Sequence, residues 1–547
     1  MRSPGGLGAR DRALERLAAS ASDPLDVVVV GGGITGAGIA LDAAARGLSV
    51  GLVERADFAS GTSSKSSKLV HGGLRYLQHG DVRLVKEAIA ERDLLRRLAP
   101  HLVEAVPFAV PLTSRRLRAR IGAALWAYDA LASFGAVQVH RHLRAAEARA
   151  LLPPMRRDPD GAYLYYDSKT DDVRLVMEVL VAAVRLGAVV CNHCEAGAIQ
   201  RGQQTSSVEV RDALTGTSFE VRARTVVVAA GVWADHIEAL VKPHSRPRLR
   251  PSKGVHLVFD QADLPLSEAA AIIPDAEQRR LLFVVPWLGC VLVGTTDTHY
   301  VGELDAVSVE PDDYAYCLEA VNASFDLALT EQHVVGAFAG LRPLVTNAAG
   351  TTADLSRRHL VYDLAPGVVG ITGGKLTTYR RMASDAVEAA TRDFGAVPRS
   401  RTRHLRLGCG SLDRLTVMAA GGAQRLGLEE EAVSGLVRRY GDRAFAVMEV
   451  IEQTGLSDPI GGDPAYVSGE SVYCARAEMA VNLDDFMARR ARLALTDKHG
   501  GLDSDVVGAL ATERRWSERE RRSQEARYLA VLTRERSLPP IADEAGA

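Results

Sequence analysis

Hydrogen-bonding side chains are concentrated in one short segment, Ser63 to Asp81, which reads SSKSSKLVHGGLRYLQHGD. Four serines, two lysines, two histidines and an arginine accompany a Gly-Gly pair there. Adjacent serines often only cap a helix, and a helix could begin near Asp81. So many different donor types in one place instead indicate a site for an anionic or strongly polar ligand. The glycine-rich stretch just upstream favours that second interpretation.

The upstream stretch has the pattern of a dinucleotide-binding turn. It reads LDVVVVGGGITGAGIALDAAARGLSVGLVER, in which Gly31, Gly33 and Gly36 fit G-x-G-x-x-G. The first glycine permits the tight turn, the second lets a pyrophosphate approach the backbone, and the third lets helix pack on strand. Glu54 ends the next apolar run, where it is placed to accept from adenosine ribose hydroxyls. An acidic residue at that point disfavours NADP.

Two later segments favour FAD over NAD. ARTVVVAAGVWAD predicts a buried strand that runs into Gly231, suited to close a sheet beside the dinucleotide. GVVGITGGKLTTYRRMASDAVEAA predicts a strand, a turn at Gly373 and Gly374, and a long helix. That turn, with Leu376 and Thr377, offers backbone N–H groups suited to the partial negative charge of a reduced flavin. A glycine pair alone can be mere punctuation, but the three segments together predict an FAD site.

With these blocks in place, the sequence resembles the FAD-dependent, quinone-linked (respiratory) glycerol-3-phosphate dehydrogenases. The resemblance rests on GGGITGAGIALDAAARGLSV, TSSKSSKLVHGGLRYL, GTTDT, GLRPL, ADLSRRH and GGKLTTYRRMA, in that order. It is strong over about residues 25–390 and continues through AEMAVNLDDFMARRARLAL in the C-terminal part. The resemblance implies oxidation of sn-glycerol 3-phosphate to dihydroxyacetone phosphate by hydride transfer to FAD, with electrons then passed to a membrane quinone.

The resemblance also implies roles for the serine-rich segment. Residues of the segment expected against the cofactor are Ser66, Ser67, Lys68, His71, Gly72 and Gly73, and those expected to reach the substrate are Arg75 and Tyr76. Lys65 departs from the family's pattern, and we assign it no role.

The phosphate of such a substrate would need cationic partners, and arginine suits it because it binds phosphate oxygens bidentately. The candidates are Arg75, Arg342, Arg357 and Lys375. Arg342 stands out because glycine, leucine and proline flank it in GLRPL, which predicts an inward position. Arg358 is an alternative to its neighbour Arg357.

Oxidation of an alcohol also needs a group that removes the hydroxyl proton. His256, in the strand-like SKGVHLVF, matches a pocket histidine of the family, and an unperturbed pKa near 6.5 suits a base. The alternative is a histidine that is merely satisfied by hydrogen bonds at a sheet edge. Lys375 and Arg342 would stabilise the developing alkoxide. We expect Thr295–Asp297 only to cap a turn, and the sequence leaves the identity of the base open.

The elements that must position these residues predict an α/β protein. We expect an FAD-binding Rossmann-like domain interleaved with an antiparallel β-sheet substrate domain, followed by a helical C-terminal domain. A short helix is predicted in ARDRALERLAAS. The expected parts are an N-terminal extension (1–24), the oxidoreductase region (25–400, with FAD-binding parts at about 25–110, 170–235 and 335–390 and substrate-domain parts between them) and the helical domain (401–540).

Composition excludes several classes of protein. Lys and Arg total 66 against 68 Asp and Glu, a net charge of −2, which argues against nucleic-acid binding through a broad basic face. Six cysteines are too few for a disulfide scaffold, and the C-x-x-C of Cys191 and Cys194 lacks a second pair, so we predict no metal site. With no membrane-spanning run and no secretory signal, we expect a cytoplasmic protein that contacts the inner face of the cytoplasmic membrane peripherally. A homodimer is left open.

Two alternatives remain at this level. One is a related flavin oxidase that acts on glycerol 3-phosphate with oxygen as acceptor, or on an amino acid; the arginine set argues against the amino acid, but nothing separates oxygen from quinone. The other is a tRNA-binding flavoprotein or a catalytically idle FAD-binding scaffold. The near-neutral charge disfavours RNA binding, and the intact GGLRYL, GLRPL and GGKLTT blocks disfavour an idle scaffold.

Overall fold

The structure is a computed structural model, which describes most of the chain. Arg75, Tyr76 and Arg357, expected to reach the substrate, lie outside the described residues. The described residues are 5–74, 81–112, 115–132, 139–156, 160–202, 204–243, 247–277, 280–345, 358–408, 410–461, 463–502 and 505–536.

Twenty strands and sixteen helices are defined over the described residues. The strands are β1 (Leu25–Val30), β2 (Val50–Val53), β3 (Leu69–Val70), β4 (Val103–Pro111), β5 (Arg141–Leu143), β6 (Ala162–Thr170), β7 (Val189–Cys191), β8 (Cys194–Arg201), β9 (Ser206–Asp212), β10 (Ser218–Val228), β11 (Leu249–Asp260), β12 (Ala270–Pro274), β13 (Leu281–Trp287), β14 (Cys290–Gly294), β15 (Thr298–His299), β16 (Val334–Val345), β17 (His359–Ala365), β18 (Val368–Gly373), β19 (Pro459–Ile460) and β20 (Asp463–Val467). The helices are α1 (Arg10–Ala19), α2 (Ile34–Ala45), α3 (Val82–Leu98), α4 (Arg115–Leu131), α5 (Ala145–Leu151), α6 (Asp172–Arg185), α7 (Ala234–Val241), α8 (Pro311–Ser324), α9 (Tyr379–Ala390), α10 (Leu412–Ala423), α11 (Glu430–Tyr440), α12 (Ala444–Thr454), α13 (Gly469–Ala477), α14 (Leu493–Thr496), α15 (Val506–Arg514) and α16 (Glu518–Arg536).

The first sheet is built around the valine run of β1. This strand lies parallel between β10 and β2, with Val29 opposite Val227 and Leu52, and is flanked further out by β18, β17 and β7. Helix α2 packs between α6 and α9 over this sheet. Valines are favoured in β1 because a strand buried on both faces is stabilised by apolar branched side chains. The predicted Rossmann-like unit is therefore confirmed.

The second sheet is mostly antiparallel and corresponds to the antiparallel sheet predicted for the substrate domain. Its order is β15-β11-β14-β13-β12-β4-β6-β3, with β16 added along β11 and β5 along β6. Because β3 to β6 precede β7 in the chain, the two sheets are interleaved in sequence, as predicted. The long pair of β11 and β16 keeps one register from Leu249 opposite Val345 to Val258 opposite Gly336.

The C-terminal part packs its own apolar core from helices α10 to α16. It is less uniformly helical than the sequence predicted, because β19 and β20 form a short antiparallel hairpin. Residues Asp485–Arg490 form a π-helix. Arg489 and Arg490, in its last turn, are both buried.

The N-terminal extension contains the predicted helix, α1, and joins the two halves of the molecule. The Arg10 guanidinium donates to Asp212 Oδ1 over 2.5 Å and to the carbonyl of Asn192 over 3.1 Å. The N–H of Leu7 donates to the carbonyl of Ala477 over 2.7 Å. The extension is thus anchored to both the first sheet and the C-terminal domain.

Buried ion pairs hold the C-terminal domain against the nucleotide domain. Asp57, fully buried after β2, accepts from Arg489 Nε over 2.6 Å and from Arg490 Nη1 over 2.7 Å. On helix α6, Arg174 pairs with Glu478 over 2.8 Å. A buried charge is tolerated only when it is paired, so these contacts make the two domains depend on each other.

Asp57, His193 and Asp485 lie close enough together to hold a metal ion. The carboxylate of Asp485 already accepts from His193 Nε2 over 2.9 Å and from Arg489 over 2.8 Å. Asp57 likewise accepts from two guanidinium groups. A cation would have to displace these arginines, so we assign no metal to this cluster.

Asp57→Asn should strongly destabilise the protein. Removal of the carboxylate charge leaves Arg489 and Arg490 uncompensated in a buried interface, at a cost of about 3–5 kcal/mol of unfolding free energy. Thermal unfolding of the variant measures it. The control is Asp363→Asn, because its ion pair with Arg392 is about 60% exposed on both sides and should matter by less than about 0.5 kcal/mol. Equal melting of the two variants would contradict the assignment.

Candidate active site

A cavity of about 750 Å³ lies where the ends of the two sheets meet. Most residues that the sequence singled out contribute to its lining. They are Gly31, Gly33, Glu54, Ser66, Ser67, His71, Gly231, His256, Arg342, Gly373, Gly374, Lys375, Leu376 and Thr377.

One end of the cavity is the glycine turn between β1 and α2. Gly36 packs against this turn so closely that a Cβ atom there would lie 1.9 Å from the carbonyl oxygen of Gly31. The first helical N–H, that of Ile34, donates to Ser63 Oγ over 2.9 Å. Gly36 does not line the cavity, but it brings the helix start to it, which is the packing role the motif predicts.

Glu54 lies at this end, half-buried in the cavity wall. Its two oxygens accept from the N–H groups of Gly32, over 2.6 Å, and Ala56, over 2.9 Å. Burial raises the pKa of Glu54, although these two N–H groups act in the opposite direction. Each carboxylate oxygen has a further lone pair, so Glu54 can hold the turn and still accept from a ribose hydroxyl.

Lys68 was expected against the cofactor, and this expectation is wrong for its side chain. Its ammonium lies behind the cavity wall, 2.8 Å from Asp172 Oδ2 and 2.6 Å from the carbonyl of Ser64. Burial, together with the charge of Arg492, lowers the pKa of Lys68 to about 7. The buried carboxylate of Asp172 determines the direction of the side chain, because only a paired charge is stable there.

Gly72 and Gly73 likewise do not line the cavity. Gly72 is buried against Tyr128, and its N–H donates to Asp167 over 3.1 Å. His71 does line the cavity, and its N–H donates to Thr377 Oγ1 over 3.2 Å. Gly72 therefore fits the chain against α4 rather than presenting backbone to the cavity.

One wall of the cavity is a face of the β11–β16 pair. Ser252 lies opposite Arg342, and His256 lies opposite Phe338. Because alternate residues of a strand share a face, Arg342 and His256 project from the same side of the sheet. Gly254 lies between them, and a Cβ atom there would be 2.3 Å from Arg342 Nη2.

The GTTDT block supports both of these side chains. Arg342 Nη2 donates to Thr295 Oγ1 over 2.8 Å, and Nη1 lies 3.2 Å from Asp297 Oδ1. A Cβ atom at Gly294 would lie 2.5 Å from His256 Cδ2, so the glycine makes room for the ring. The turn-capping role predicted for Thr295–Asp297 was wrong: these residues orient Arg342.

His256 has the environment of a neutral imidazole. Its Nε2 is 2.9 Å from Ser67 Oγ, and its ring stacks on Phe338 at 4.9 Å between centroids. Among the described residues, its buried Nδ1 has no hydrogen-bond partner. Burial, and then the charges of Lys68 and Arg342, lowers the pKa of His256 to about 3, far from the ordinary value on which the sequence argument relied.

The remaining cations are divided between cavity and surface. Lys375 lines the cavity, where its Nζ is buried. Arg358, the alternative to Arg357, is half exposed and pairs with Asp81 over 2.7 Å outside the cavity. The pKa of Asp81 is lowered, chiefly by this bond to Arg358. The structure therefore gives no support to Arg358 as a ligand.

Sequence reasoning missed several lining residues. Arg55 stacks on Trp233 at 4.4 Å, and Trp233 follows Gly231 closely enough in GVWAD to have been suspected. Lys65 lines the cavity and pairs with Glu535 over 2.5 Å, a contact no local pattern could show. In the described lining, cations outnumber anions: Arg55, Lys65, Arg211, Arg342 and Lys375 against Glu54, Glu195 and Glu209.

The cavity fits a flavin dinucleotide. Glycine turns at a helix start lie at Gly31–Gly36 and at Gly373–Gly374, and the lining carries an excess of positive charge for phosphates. Among the described residues, Trp233 Nε1 and His256 Nδ1 are buried without a protein partner, as expected of groups that face a ligand. Fold and site together define a flavin-dependent oxidoreductase.

Comparison with known proteins agrees. A family described as FAD dependent oxidoreductase matches residues 26–380, and one described as C-terminal domain of alpha-glycerophosphate oxidase matches residues 400–521. Glycerol-3-phosphate dehydrogenase 2 of Mycobacterium bovis is 40% identical over 523 residues, covering 94% of this chain and 89% of the relative. The mitochondrial glycerol-3-phosphate dehydrogenase SDP6 of Arabidopsis thaliana is 36% identical over 543 residues, covering 93% and 86%.

A solved structure extends this similarity to the whole fold. Glycerol-3-phosphate dehydrogenase from Bacillus halodurans, complexed with FAD, superposes with a TM-score of 0.80 at 29% identity, covering 99% of this chain and 100% of that one. The chain therefore belongs to the family of FAD-dependent glycerol-3-phosphate dehydrogenases, and its cofactor is FAD.

Gly36→Ala should abolish retention of FAD. The added methyl group would overlap the carbonyl oxygen of Gly31 and push α2 away from the turn that holds the pyrophosphate. The measurement is the ratio of flavin absorbance at about 450 nm to protein absorbance after purification. Gly421→Ala in α10 is the control, because nothing lies within 4 Å of a Cβ atom there. Stoichiometric FAD in the Gly36 variant would refute the packing argument.

Proposed function

We propose that this protein oxidises sn-glycerol 3-phosphate to dihydroxyacetone phosphate and passes the electrons from FAD to a membrane quinone. The protein acts in the cytoplasm, bound peripherally to the inner face of the cytoplasmic membrane. The observation that carries the proposal is the shared face of β11 and β16, where Arg342 and His256 lie in a cavity that fits FAD. The names of the relatives from Mycobacterium bovis, Arabidopsis thaliana and Bacillus halodurans support the substrate.

The substrate's phosphate is matched by the cations of the lining. Arg342 is held by neutral and anionic partners at 2.8–3.3 Å, so its charge is fixed in place before a ligand arrives. To bind phosphate directly it would exchange the longer contacts around Nη1, whereas Lys375 contributes a second positive charge. Because the Nη2 contacts can stay in place, this charge stabilises an anion with little reorganisation when it binds.

FAD bound in the cavity supplies the acceptor of the hydride. The chain must then remove the hydroxyl proton, and His256 is the residue equipped to do so. Its imidazole is neutral, and the hydroxyl of Ser67 is hydrogen-bonded to Nε2. Among the described residues, Nδ1 has no hydrogen-bond partner. A phosphate near Arg342 offsets part of the positive charge that, after burial, lowers the pKa of His256, so substrate binding itself strengthens the base.

The electron acceptor distinguishes this proposal from its alternative. The C-terminal family is named for an oxidase, which would use oxygen, whereas the relatives that match both halves of the chain are named dehydrogenases. A dehydrogenase that reduces a membrane quinone needs contact with the bilayer. In the described part of the chain, no helix is both long enough and apolar enough to cross one.

Helix α4 has the composition of a peripheral contact. Its first turns expose Arg116, Arg118 and Arg120, and Trp126 further along is 60% exposed. Arginines are attracted to anionic lipid headgroups, and tryptophan prefers the interface between headgroups and acyl chains. Ile121 and Leu125 of this helix are buried and fix it to the protein. We therefore propose α4 as the lipid-facing element.

Anaerobic addition of sn-glycerol 3-phosphate should bleach the flavin band of the purified protein. Arg342→Met should raise KM for this substrate by about 100-fold, since a charge-assisted contact to an anion contributes about 1.5–3 kcal/mol. Arg358→Met is the control, because Arg358 pairs with Asp81 outside the cavity. An intact yellow protein that glycerol 3-phosphate does not bleach would refute the substrate. Reoxidation by air as fast as by a quinone analogue would favour the oxidase instead.

The protein should bind vesicles that contain phosphatidylglycerol, and Trp126→Ser should weaken that binding at least about threefold. Co-sedimentation with vesicles at low and high salt measures it, and salt should weaken the contribution of the arginines. The control is Val301→Ser, which removes an 86% exposed apolar side chain elsewhere on the surface. Equal loss in the two variants, or no vesicle binding at all, would contradict the role of α4.

A further inference from the structure

Three buried charges lie behind the cavity wall and have no role in the reaction described so far. Lys68 and Asp172 belong to the nucleotide domain, whereas Arg492 belongs to the C-terminal domain. Their side chains are at most 1% exposed. Asp172 accepts from Lys68 Nζ over 2.8 Å and from Arg492 Nη2 over 3.2 Å, so one carboxylate joins two cations from different domains.

This cluster is bonded directly to the cavity wall. Asp172 also accepts from Ser66 Oγ over 2.6 Å and from the Ser66 N–H over 3.2 Å. The carbonyl of Ser64 accepts from Lys68 over 2.6 Å and from Arg492 over 3.4 Å. The segment from Ser64 to Lys68 is therefore held from behind, and its cavity-lining members are positioned by charges that do not themselves face the cavity.

The next link leads from this segment to the base. Ser67 follows Ser66 in the chain, and its hydroxyl is 2.9 Å from His256 Nε2. A second contact runs through Phe338, whose ring stacks on His256 and also lies 4.6 Å from Lys68 Nζ. A displacement of the cluster would therefore reach the imidazole by two routes.

The backbone shows that these positions are maintained by their contacts. Lys68 has φ +57° and Arg492 has φ +65°, conformations that residues with side chains rarely adopt. Such conformations persist only where the surroundings hold them in place. Around Lys68 and Arg492, the surroundings are the shared carboxylate and the carbonyl of Ser64.

We propose that Arg492 of the C-terminal domain is a positioning residue for the active site: by completing the cluster with Lys68 and Asp172 it fixes Ser67, and through Ser67 the imidazole of His256. The proposal rests on the proposed function, since it concerns the residue that removes the proton. A guanidinium is needed because Arg492 contacts Asp172, Ser64 and Ala488 at once, which a lysine ammonium cannot reach.

A double-mutant cycle on the full-length holoenzyme tests this coupling. Arg492→Lys and Ser67→Ala should each lower kcat by about tenfold, with KM for glycerol 3-phosphate changed less than about threefold. If Arg492 acts through Ser67, the double variant should be about as slow as the slower single variant. A double variant whose loss is the product of the two single losses would overturn the proposal.

A matched control separates positioning from general stability. Arg443 is also a fully buried arginine of the C-terminal domain that reaches α6, but its partners Glu178, Glu478 and Tyr473 lie outside the cavity lining. Arg443→Lys should lower the melting temperature about as much as Arg492→Lys and leave kcat within about twofold. Equal losses of kcat in the two variants would overturn the proposal.

A measurement without substrate keeps this test independent of the proposed function. In holoenzyme labelled with ¹³C-histidine, the His256 ring signal is assigned by its loss in His256→Gln. The signal should shift in Arg492→Lys and stay in place in Arg443→Lys. An unmoved signal in Arg492→Lys would refute the positioning role even if the wild type is active. If the signal shifts in Arg492→Lys but glycerol 3-phosphate does not reduce the FAD of the wild type, the proposed substrate is refuted and the positioning role stands.

Discussion

The pairing of buried charge across one interface is the constraint on which the rest of the structure depends. Helix α6 belongs to the nucleotide domain, yet it buries two carboxylates and a guanidinium. Among the described residues, these three charges form ion pairs with residues of the C-terminal domain. A charge removed from water without a partner costs far more than one contact returns, so α6 is stable only with the C-terminal domain in place. The residues Asp172, Arg174 and Glu178 find their partners in Arg492, Glu478 and Arg443.

The same constraint divides what the sequence predicts from what it does not. Three features follow from neighbours within a few residues, so local pattern identified them: the glycine turn, the strand ends, and the start of α3, where the Asp81 carboxylate accepts from the N–H of Leu84. The support of Arg342 by Thr295–Asp297 joins residues about 45 apart, and the partner of Lys68 is about 104 residues away. Spacing along the chain carries no information about such contacts. The sequence therefore identified many of the residues that line the cavity, but it placed Lys68 on the wrong side of the wall.

Burial also changes the chemistry that residue types suggest. An exposed histidine suits a base near neutral pH, but His256 is buried between two cations, and its pKa falls to about 3. Lys68 moves in the same direction, to about 7, because burial and Arg492 both oppose its charge. Both shifts disfavour positive charge in and behind the cavity wall. An anionic substrate acts against them, which ties the strength of the base to occupancy of the site.

The described lining of the cavity contains no residue of the helical C-terminal domain. The position of Arg492 explains why that domain nevertheless accompanies the oxidoreductase fold. β11 and β16 supply one wall of the cavity, and the serine segment supplies the adjoining wall, where Ser67 Oγ meets His256 Nε2. Neither element holds the serine segment from behind. Asp172 does so from the first residue of α6, and its carboxylate is held by Lys68 over 2.8 Å and by Arg492 over 3.2 Å. Arg492 brings the second cation from the C-terminal domain, and its guanidinium therefore helps to keep the carboxylate, and with it the wall, in one arrangement.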